Sequence, residues 1–372
     1  MGTRALPSKR LLVLCPFPER VAAGQRLKYE QYFDDWRRDG CVVDVAPFMD
    51  MAMWNVVYTR GNSLTKALGL VRGHIRRLAA LLRIRRYDLV YVFMWVTPLG
   101  TTLLERLTRA LARRLIFDVE DNVILDVSTA NHGRINPITR LLKGPGKARY
   151  LIRSADHVIT SSPALNELCL DISRKRACTY ISSSVDTDRF VPVNRYANDL
   201  PVTIGWTGTF STRIYLDLLR PVFQALALKR DVRLRIIGNF DYELAGVNLD
   251  VISWSAEQEV QDLQAIDIGV YPLPVDDWVS GKSGLKAIQY MAFGIPCVAT
   301  NVGTTPLIIR DGENGLLVQT EAEWLDALER LIDDPHLRRR LGEQARRDAV
   351  AKYSTKAIAA EYRHVLASVM GQ

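Results

Sequence analysis

Cysteine is scarce in this sequence. The 372 residues contain five cysteines, which are odd in number, scattered, and never spaced as C-x-x-C. This pattern argues against a disulfide framework and against a structural zinc site, and it fits a reducing compartment. The five histidines also lie far apart along the chain. The sequence therefore predicts no bound metal.

Long apolar runs are also lacking. No run approaches the ~20 residues that a helix needs to cross a bilayer. Lys9 and Arg10 precede the apolar run Leu11–Leu14, but this run is too short for the core of a signal peptide. We therefore expect a cytoplasmic protein. Any membrane contact would be peripheral, at the inner face of the cytoplasmic membrane.

Acidic residues are under-represented in one half of the chain only. Residues 1–200 hold 31 Lys and Arg against 19 Asp and Glu, a net charge of +12, whereas residues 201–372 hold 18 against 22, a net charge of −4. A basic half beside an acidic half indicates a polyanionic partner for the first half. Anionic lipid and phosphorylated acceptors are candidates. Nucleic acid is not expected, because the sequence has no recognised nucleic-acid-binding motif and no clear aromatic stacking platform.

The size and pattern of the chain predict two domains. With 48% apolar and 24% charged residues, the composition is that of a globular protein. Short apolar runs alternate with helical patterns, and the alternation restarts at Val202 after a polar stretch at 191–201. We predict an α/β fold with two doubly wound Rossmann-like domains that face a cleft, at residues 1–195 and 196–354. Residues 355–372 form a final helix that packs back on the first domain.

A basic, amphipathic helix is predicted within residues 64–86. Apolar residues recur at spacings of 3 and 4, namely Leu64, Leu68, Val71, Ile75, Leu78 and Leu82. Among them lie one lysine and six arginines, namely Lys66, Arg72, Arg76, Arg77, Arg83, Arg85 and Arg86. Such a helix can lie on an anionic membrane surface. Alternatively, the apolar stripe packs on the sheet and the arginines are solvated or face lipid.

The most informative stretch is residues 267–300. A predicted strand ends at Tyr271, and Gly281-Lys282-Ser283-Gly284 then opens a helix. The N–H groups and the positive dipole end of a helix start suit phosphate, and Lys282 and Lys286 add positive charge. A P-loop is excluded because the position of its first glycine is occupied by Asp276.

This stretch resembles the donor-binding region of the retaining glycosyltransferases of family 4, which have the GT-B fold. The residues that carry the resemblance are Gly284, Leu285, Met291, Ala292, Gly294, Pro296, Val298 and Ala299. Further matching segments are 205–208, 236–238, Gly303 and 309–318. The resemblance covers residues 200–355 and is weaker in the N-terminal half. Its pattern G-K-x-G-x-K-x-x-Q-Y-M is similar to that of one subgroup.

The chain departs from the family pattern at the charged positions. The resemblance implies that Gln289 takes the place of a Glu that holds the donor ribose, and Gly281 that of a Glu near the sugar. Gly208 and Thr209 stand where the family has a phosphate-binding Arg. The donor site is expected to include Lys282, Ser283, Gly284, Leu285, Lys286 and Gln289, with Gly208, Thr209 and Arg213. Lys282, Lys286 and Arg213 then replace the missing positive charge.

Other candidate site residues rest on weaker local alignment. Glu120 and Asp121 follow a strand and fall where the family has a His-Asp pair near the reacting sugar, although they could instead cap a loop or pair with arginines. Gly24 and Arg26 match a loop beside the donor phosphate, or Arg26 is a surface residue at a helix start. Trp254 falls where relatives hold the base, or it is a core tryptophan.

The resemblance implies an enzyme that transfers a sugar, of the hexosyltransferase type, with retention of configuration. The expected donor is a nucleotide-sugar, with no tightly bound cofactor and no metal. The expected acceptor is lipid-linked or an oligosaccharide, in the synthesis of surface polysaccharide or glycolipid. Alternatives are a soluble acceptor, an epimerase of the same fold, or a catalytically silent scaffold that acts as an assembly partner.

Overall fold

A computed structural model describes residues 9–57, 59, 61–98, 101–120, 146–193, 201–276 and 278–371. The chain divides into two compact units. The first comprises Met1–Ser182 with Ala359–Gln372, and the second comprises Ser183–Ile358.

The first unit is built on a parallel sheet of six strands. These are β1 (Lys9–Cys15), β2 (Cys41–Pro47), β3 (Leu89–Phe93), β4 (Leu115–Val119), β5 (His157–Thr160) and β6 (Cys178–Tyr180), in the order β2-β1-β3-β4-β5-β6. Every residue of β3 and β4 is buried. Burial along the whole length of a strand is typical of parallel strands that are covered on both faces.

The described helices of the first unit follow its strands. They are α1 (Ala23–Arg26), α2 (Phe33–Arg38), α3 (Met51–Val57), α4 (Ser63–Arg83), α5 (Leu103–Leu111), α6 (Gly146–Ser154) and α7 (Pro163–Ile172), with 3₁₀ turns at Glu30–Tyr32 and Ile84–Arg86. Each crossover returns the chain to a parallel strand, as βαβ units require.

The second unit has a second parallel sheet. Its strands are β7 (Val202–Thr207), β8 (Val232–Ile237), β9 (Asn248–Ile252), β10 (Ile268–Tyr271), β11 (Cys297–Thr300) and β12 (Gly315–Val318), in the order β12-β11-β10-β7-β8-β9. Counted from the first strand of the unit, this is the order of the doubly wound nucleotide-binding sheet. The two parallel sheets confirm the predicted fold class.

Helices again alternate with the strands of this unit. They are α8 (Arg213–Leu216), α9 (Arg220–Lys229), α10 (Glu259–Gln264), α11 (Leu285–Ala292), α12 (Thr305–Ile308), α13 (Glu321–Asp333) and α14 (Pro335–Lys352), with 3₁₀ turns at Phe210–Thr212, Asp217–Leu219 and Val279–Gly281. The core lies between these helices and the sheet, and Trp206, Phe223 and Trp324 are among its large buried side chains.

The last helix, α15 (Thr355–Met370), contributes residues from 359 onward to the first unit. Tyr362 is buried, with its ring centroid 4.8 Å from that of Tyr32 and 6.0 Å from that of Trp36. Arg363 also donates to the Asp39 carboxylate at 2.7 Å. The segment therefore completes the core beside α2.

The orientation of α4 corrects one of the sequence interpretations. The stripe of leucine, valine and isoleucine does not pack on the sheet, because all six of its side chains are exposed. The buried face is made instead by small residues, among them Gly69, Gly73 and Ala80, and by Arg77. Within the described ranges no helix combines the length and the apolar composition needed to cross a bilayer.

Candidate functional site

The second unit has its topological switch point between β7 and β10. From β7 the chain winds outward through β8 and β9, then returns to the other side of β7 and winds through β11 and β12. In open α/β sheets, ligands bind outside the carboxyl ends of the strands at such a point. The loop after β7, which begins at Gly208, and the loop after β10, which leads into α11, both lie there.

Lys286, in the first turn of α11, lies between two aromatic rings. Its Nζ is 5.7 Å from the ring centroid of Trp206 and 5.4 Å from that of Tyr271. The two rings come from the carboxyl ends of β7 and β10 and are themselves buried. An ammonium group is attracted to the faces of such rings. The contacts fix one positive charge at the switch point.

One turn later, Tyr290 anchors α11 to β7. Its hydroxyl donates to the Gly205 carbonyl at 3.3 Å and accepts from the Thr207 N–H at 3.2 Å. Burial raises the pKa of Tyr290 well above its ordinary value, so the hydroxyl keeps its proton for this role. The neighbouring Gln289 is also buried.

The start of α11 is formed by backbone alone. Gly284 is the N-cap residue, with a φ of +72°, and it has no side chain that could accept from the first N–H groups. A helix start leaves those N–H groups without intrahelical partners. The loop before it is fixed, because the Thr304 hydroxyl donates to the Lys282 carbonyl at 2.8 Å. The start of α11 therefore holds five consecutive residues of the predicted donor site, namely Lys282, Ser283, Gly284, Leu285 and Lys286.

The predicted residues after β7 form a capped turn. The Gly208 N–H donates to the Ile237 carbonyl at 3.0 Å, which continues the pairing with β8. The Thr209 N–H donates to the Thr212 hydroxyl at 3.0 Å. Arg213 lies 3.7 Å from the Asp217 carboxylate, in a pair that is partly exposed. Its guanidinium is thus held beside α8.

Trp254 follows β9, at the outer edge of the same sheet. Its Nε1 donates to the buried Glu259 carboxylate at 3.4 Å. The ring is partly exposed. The assignment of Trp254 to the base remains a prediction.

In the first unit, the structure brings Gly24 and Glu120 together. A Cβ atom placed on Gly24 would lie 2.9 Å from Oε2 of Glu120, so the carboxylate lies directly against the glycine. Gln25 holds the loop after β1 by donating to the Phe17 carbonyl at 3.0 Å and accepting from its N–H at 3.3 Å. Arg26 follows on α1 and is largely buried, which contradicts its reading as a surface residue. Asp121 lies outside the described residues.

A buried ion pair lies beneath this edge. Lys28 Nζ is 2.5 Å from the Asp118 carboxylate, and the Tyr91 hydroxyl also donates to that carboxylate. Burial raises the pKa of Asp118, although Lys28 opposes the shift. Asp118 is therefore committed to these partners, whereas Glu120, which directly follows the same strand, is partly exposed.

Sequence reasoning missed the aromatic pair around Lys286 and the anchoring role of Tyr290. The available signal was the position of Trp206 and Tyr271, each at the end of a strand that precedes a predicted site loop. It also missed Lys28, because the periodicity of residues 25–38 predicts only an ordinary helix. In the part of the chain that the structure describes, no three His, Cys, Asp or Glu side chains converge as a metal site would require.

The comparisons with known proteins agree with this geometry. Residues 201–334 match the family described as "Glycosyl transferases group 1". The chain is 28% identical over 252 residues to the lipopolysaccharide core biosynthesis glycosyltransferase LpsE of Rhizobium meliloti (strain 1021), a match that covers 62% of this chain and 69% of that relative.

The chain is a glycosyltransferase.

A second relative matches this glycosyltransferase over a shorter segment. The D-inositol 3-phosphate glycosyltransferase of Corynebacterium aurimucosum is 39% identical over 89 residues, which is 23% of this chain and 21% of that relative. The glycosyltransferase thus spans about a fifth of that relative's length.

Solved structures show the same fold. Sucrose-phosphate synthase from Thermosynechococcus elongatus has a TM-score of 0.72 at 18% identity, over 97% of this chain and all of that one. HepE from Anabaena, solved with UDP and glucose, has a TM-score of 0.67 at 15% identity and similar coverage. The fold of the glycosyltransferase is therefore GT-B.

Proposed function

We propose that this enzyme transfers a sugar, with retention of configuration, from a nucleotide-sugar to a lipid-linked or oligosaccharide acceptor in the synthesis of surface polysaccharide or glycolipid. The observation that carries the donor part is Lys286, fixed between Trp206 and Tyr271 beside a helix start without a side-chain cap. HepE, of the same fold, was solved with UDP. The name of LpsE supports the acceptor class.

In this proposal the donor diphosphate lies on the start of α11. The first N–H groups of that helix and the ammonium groups of Lys282 and Lys286 face it. As the bond between sugar and diphosphate breaks, negative charge grows on the leaving phosphate. Cations and backbone donors that are already in place stabilise this charge more in the transition state than in the ground state.

The remaining predicted residues have subsidiary roles. Gln289 hydrogen-bonds the ribose hydroxyls as a neutral amide. Gly208, Thr209 and Arg213 bound the phosphate region, and Trp254 contacts the base. In the first unit, Gly24 and Arg26 line the loop that approaches the donor phosphate, and Glu120, with Asp121, orients or deprotonates the acceptor hydroxyl. The transfer requires no metal.

The donor assignment is tested by thermal shift with UDP-, GDP-, ADP- and dTDP-sugars. A ligand at 100 times its dissociation constant adds roughly 2.7 kcal/mol of stability. We expect one nucleotide class to stabilise the wild type and not the double variant Lys282→Ala, Lys286→Ala. The matched control is Lys229→Ala, Lys352→Ala, which removes two exposed lysines from the same unit.

Each outcome has a separate meaning. Equal shifts in wild type and Lys282→Ala, Lys286→Ala would place the diphosphate elsewhere. No shift with any of the four classes would reject the donor chemistry and favour a silent scaffold.

The acceptor role of Glu120 needs a different readout. We expect Glu120→Gln to lower the transfer rate by about 10²-fold or more, as for loss of a positioned acid-base group. The nucleotide-induced thermal shift should be unchanged, since the proposal assigns Glu120 to the acceptor hydroxyl and not to the nucleotide. Transfer is measured with radiolabelled donor and a membrane extract or a soluble oligosaccharide. Wild-type transfer rates in Glu120→Gln would remove this residue from the mechanism.

A further inference from the structure

The helix α4 presents an apolar face to solvent. Six residues at spacings of 4, 3, 4, 3 and 4 are each between 46% and 90% exposed, namely Leu64, Leu68, Val71, Ile75, Leu78 and Leu82. This spacing keeps all six on one side of the helix. We call this set the α4 face. Single exposed leucines are common on protein surfaces, but a contiguous stripe of six marks an interaction site.

The orientation of the face is fixed by the opposite side of the helix. Arg77 is 1% exposed and donates to the Val96, Ala46 and Cys15 carbonyls at 2.7, 2.7 and 2.9 Å. Cys15 and Ala46 lie at the carboxyl ends of β1 and β2, and Val96 follows the neighbouring strand β3. Because rotating α4 inward would break all three bonds inside the protein, the apolar side cannot turn toward the core.

The charged side chains of α4 itself are all basic. Residues 51–87 contain eight Lys and Arg and no Asp or Glu. Arg72 and Arg83 are exposed along the margin of the face, and Arg85 and Arg86 are exposed just after the helix. A row of apolar side chains bordered by arginines is the composition that binds a membrane interface.

The neighbouring helices continue this character. α5 contacts both α4 and α6, and its Leu103 and Leu107 are exposed. A cavity of about 430 Å³ along α5 and α6 is lined by four arginines, namely Arg106, Arg149, Arg153 and Arg174. The positive charge therefore extends beyond α4 along one layer of helices.

We propose that the α4 face docks this glycosyltransferase on an anionic lipid surface. The six apolar side chains enter the boundary between headgroups and acyl chains, and the arginines contact lipid phosphates. A second copy of the chain is the weaker occupant. If two copies packed together through this face, Arg72 and His74 would border the line of contact between the two helices. α4 has no Asp or Glu that could pair with them there.

This inference goes beyond the donor chemistry and does not depend on it. Docking at a membrane would bring the first unit to the place where a lipid-linked acceptor is held. A lipid-binding protein that catalysed a different reaction could have the same α4 face. The test therefore measures binding to vesicles and does not measure sugar transfer.

The test is co-sedimentation of the full chain with vesicles of phosphatidylcholine, with or without phosphatidylglycerol. We expect binding to the anionic vesicles, weakened by salt. The triple variant Leu68→Gln, Ile75→Gln, Leu82→Gln and the double variant Arg72→Glu, Arg83→Glu should each lose about ten-fold or more in affinity. Because these side chains are exposed, both variants should melt as the wild type does.

Two controls match these variants in the second unit. Leu228→Gln, Leu307→Gln removes exposed leucines, and Arg340→Glu, Arg347→Glu makes the same charge change. Both should bind vesicles as the wild type does. Unchanged vesicle binding by the two α4 variants would overturn the proposal. So would a wild-type dimer that ignores vesicles and becomes a monomer in the leucine variant, which would assign the face to a second copy.

Discussion

Single residues decide the geometry of the donor site. The start of α11 depends on Gly284, whose φ of +72° is in the left-handed region. A Cβ atom there would also lie 2.1 Å from Cδ1 of Ile308. Backbone conformation and lack of space therefore both require glycine at the point where the first N–H groups of the helix are presented.

Substitution of Gly284 should show both effects. Gly312→Ala is the matched control, since its φ is also +72° and nothing lies within 4 Å of an added Cβ. We expect Gly312→Ala to cost about 1 kcal/mol of unfolding free energy. Gly284→Ala should cost more and should weaken the nucleotide-induced thermal shift. Adding Ile308→Val, which removes Cδ1, should recover part of the excess. Equal losses in the two single variants would show that Ile308 does not restrict this position.

At the scale of elements, α4 packs through its smallest residues. A Cβ on Gly73 would lie 2.5 Å from Cε1 of Phe48, whose buried ring packs edge-on against His74 and Trp95. A Cβ on Gly69 would lie 2.7 Å from Sδ and 2.9 Å from Cβ of Met53, so the base of that side chain would have to shift as well as its flexible end.

These two glycines should therefore respond differently to alanine. Alanine is favoured over glycine within a helix by about 1 kcal/mol. In Gly69→Ala this gain should offset part of the cost of displacing Met53, so the unfolding free energy should fall by less than in Gly73→Ala. In Gly73→Ala the rigid ring of Phe48 cannot move aside, and we expect the unfolding free energy to fall by about 1–3 kcal/mol. Denaturant unfolding measures both, and equal effects would contradict the packing described for α4.

Asp50, which directly precedes α3, accepts from the Met53 N–H and from Arg76 of α4. The stability that these contacts contribute should depend on pH. The Met53 N–H, followed by Arg76, lowers the pKa of Asp50. A lowered pKa in the folded state means that the ionised carboxylate stabilises the fold above its unfolded pKa of about 3.9. This stability is lost as the pH falls through the folded value. Asp50→Ala should thus cost about 1 kcal/mol near neutral pH and less in acid.

Asp50→Asn is the control for this experiment, because it keeps an acceptor for the Met53 N–H but carries no charge. Its cost near neutral pH should be smaller than that of Asp50→Ala. Urea unfolding at a series of pH values measures the three proteins. A cost of Asp50→Ala that stays constant down to acidic pH would contradict the assigned charge.

The elements that could be predicted were those with a local signal. Apolar runs bounded by turn residues predict strands at 232–237, 268–271, 297–300 and 315–318, and these are the bounds of β8, β10, β11 and β12. Periodicity predicts helices at 285–292 and 321–333, and these are the bounds of α11 and α13. The helical patterns at residues 25–38 and 215–228 each predict one continuous helix, and both helices are broken in the structure. Residues 25–38 cover the end of α1, a 3₁₀ turn and α2. Residues 215–228 cover the end of α8, a 3₁₀ turn and most of α9, which begins at Arg220 and has Pro221 in its first turn.

The remainder depended on contacts between distant residues. Periodicity identified the apolar stripe of α4 but not its direction, because that is set by Arg77 reaching the carbonyls of Cys15, Ala46 and Val96. In the same way, the loop with Lys282 and Lys286 was found from the sequence. The position of Lys286 between two rings was not, since Trp206 lies 80 residues earlier in the chain.

At the scale of the whole molecule, the two units use the chain unequally. The second is continuous, whereas the first takes its closing segment from residues 359–372. Tyr362→Ala should leave a cavity against Tyr32 and Trp36 and cost about 3 kcal/mol or more. Calorimetry should show a lower melting transition for the first unit and an unchanged nucleotide response of the second. Tyr362→Phe keeps the ring and should cost far less, and equal losses would contradict ring packing as the cause.

The discontinuity of the first unit also has a consequence for synthesis. Residues 9–182 leave the ribosome first, but the segment that covers Tyr32 and Trp36 follows only after all of Ser183–Ile358 has been translated. At about 5–20 residues per second, this delay is on the order of ten seconds or more. The second unit, which needs no later segment, can therefore fold before the first. Until then the nascent chain exposes an aromatic surface that chaperones can bind.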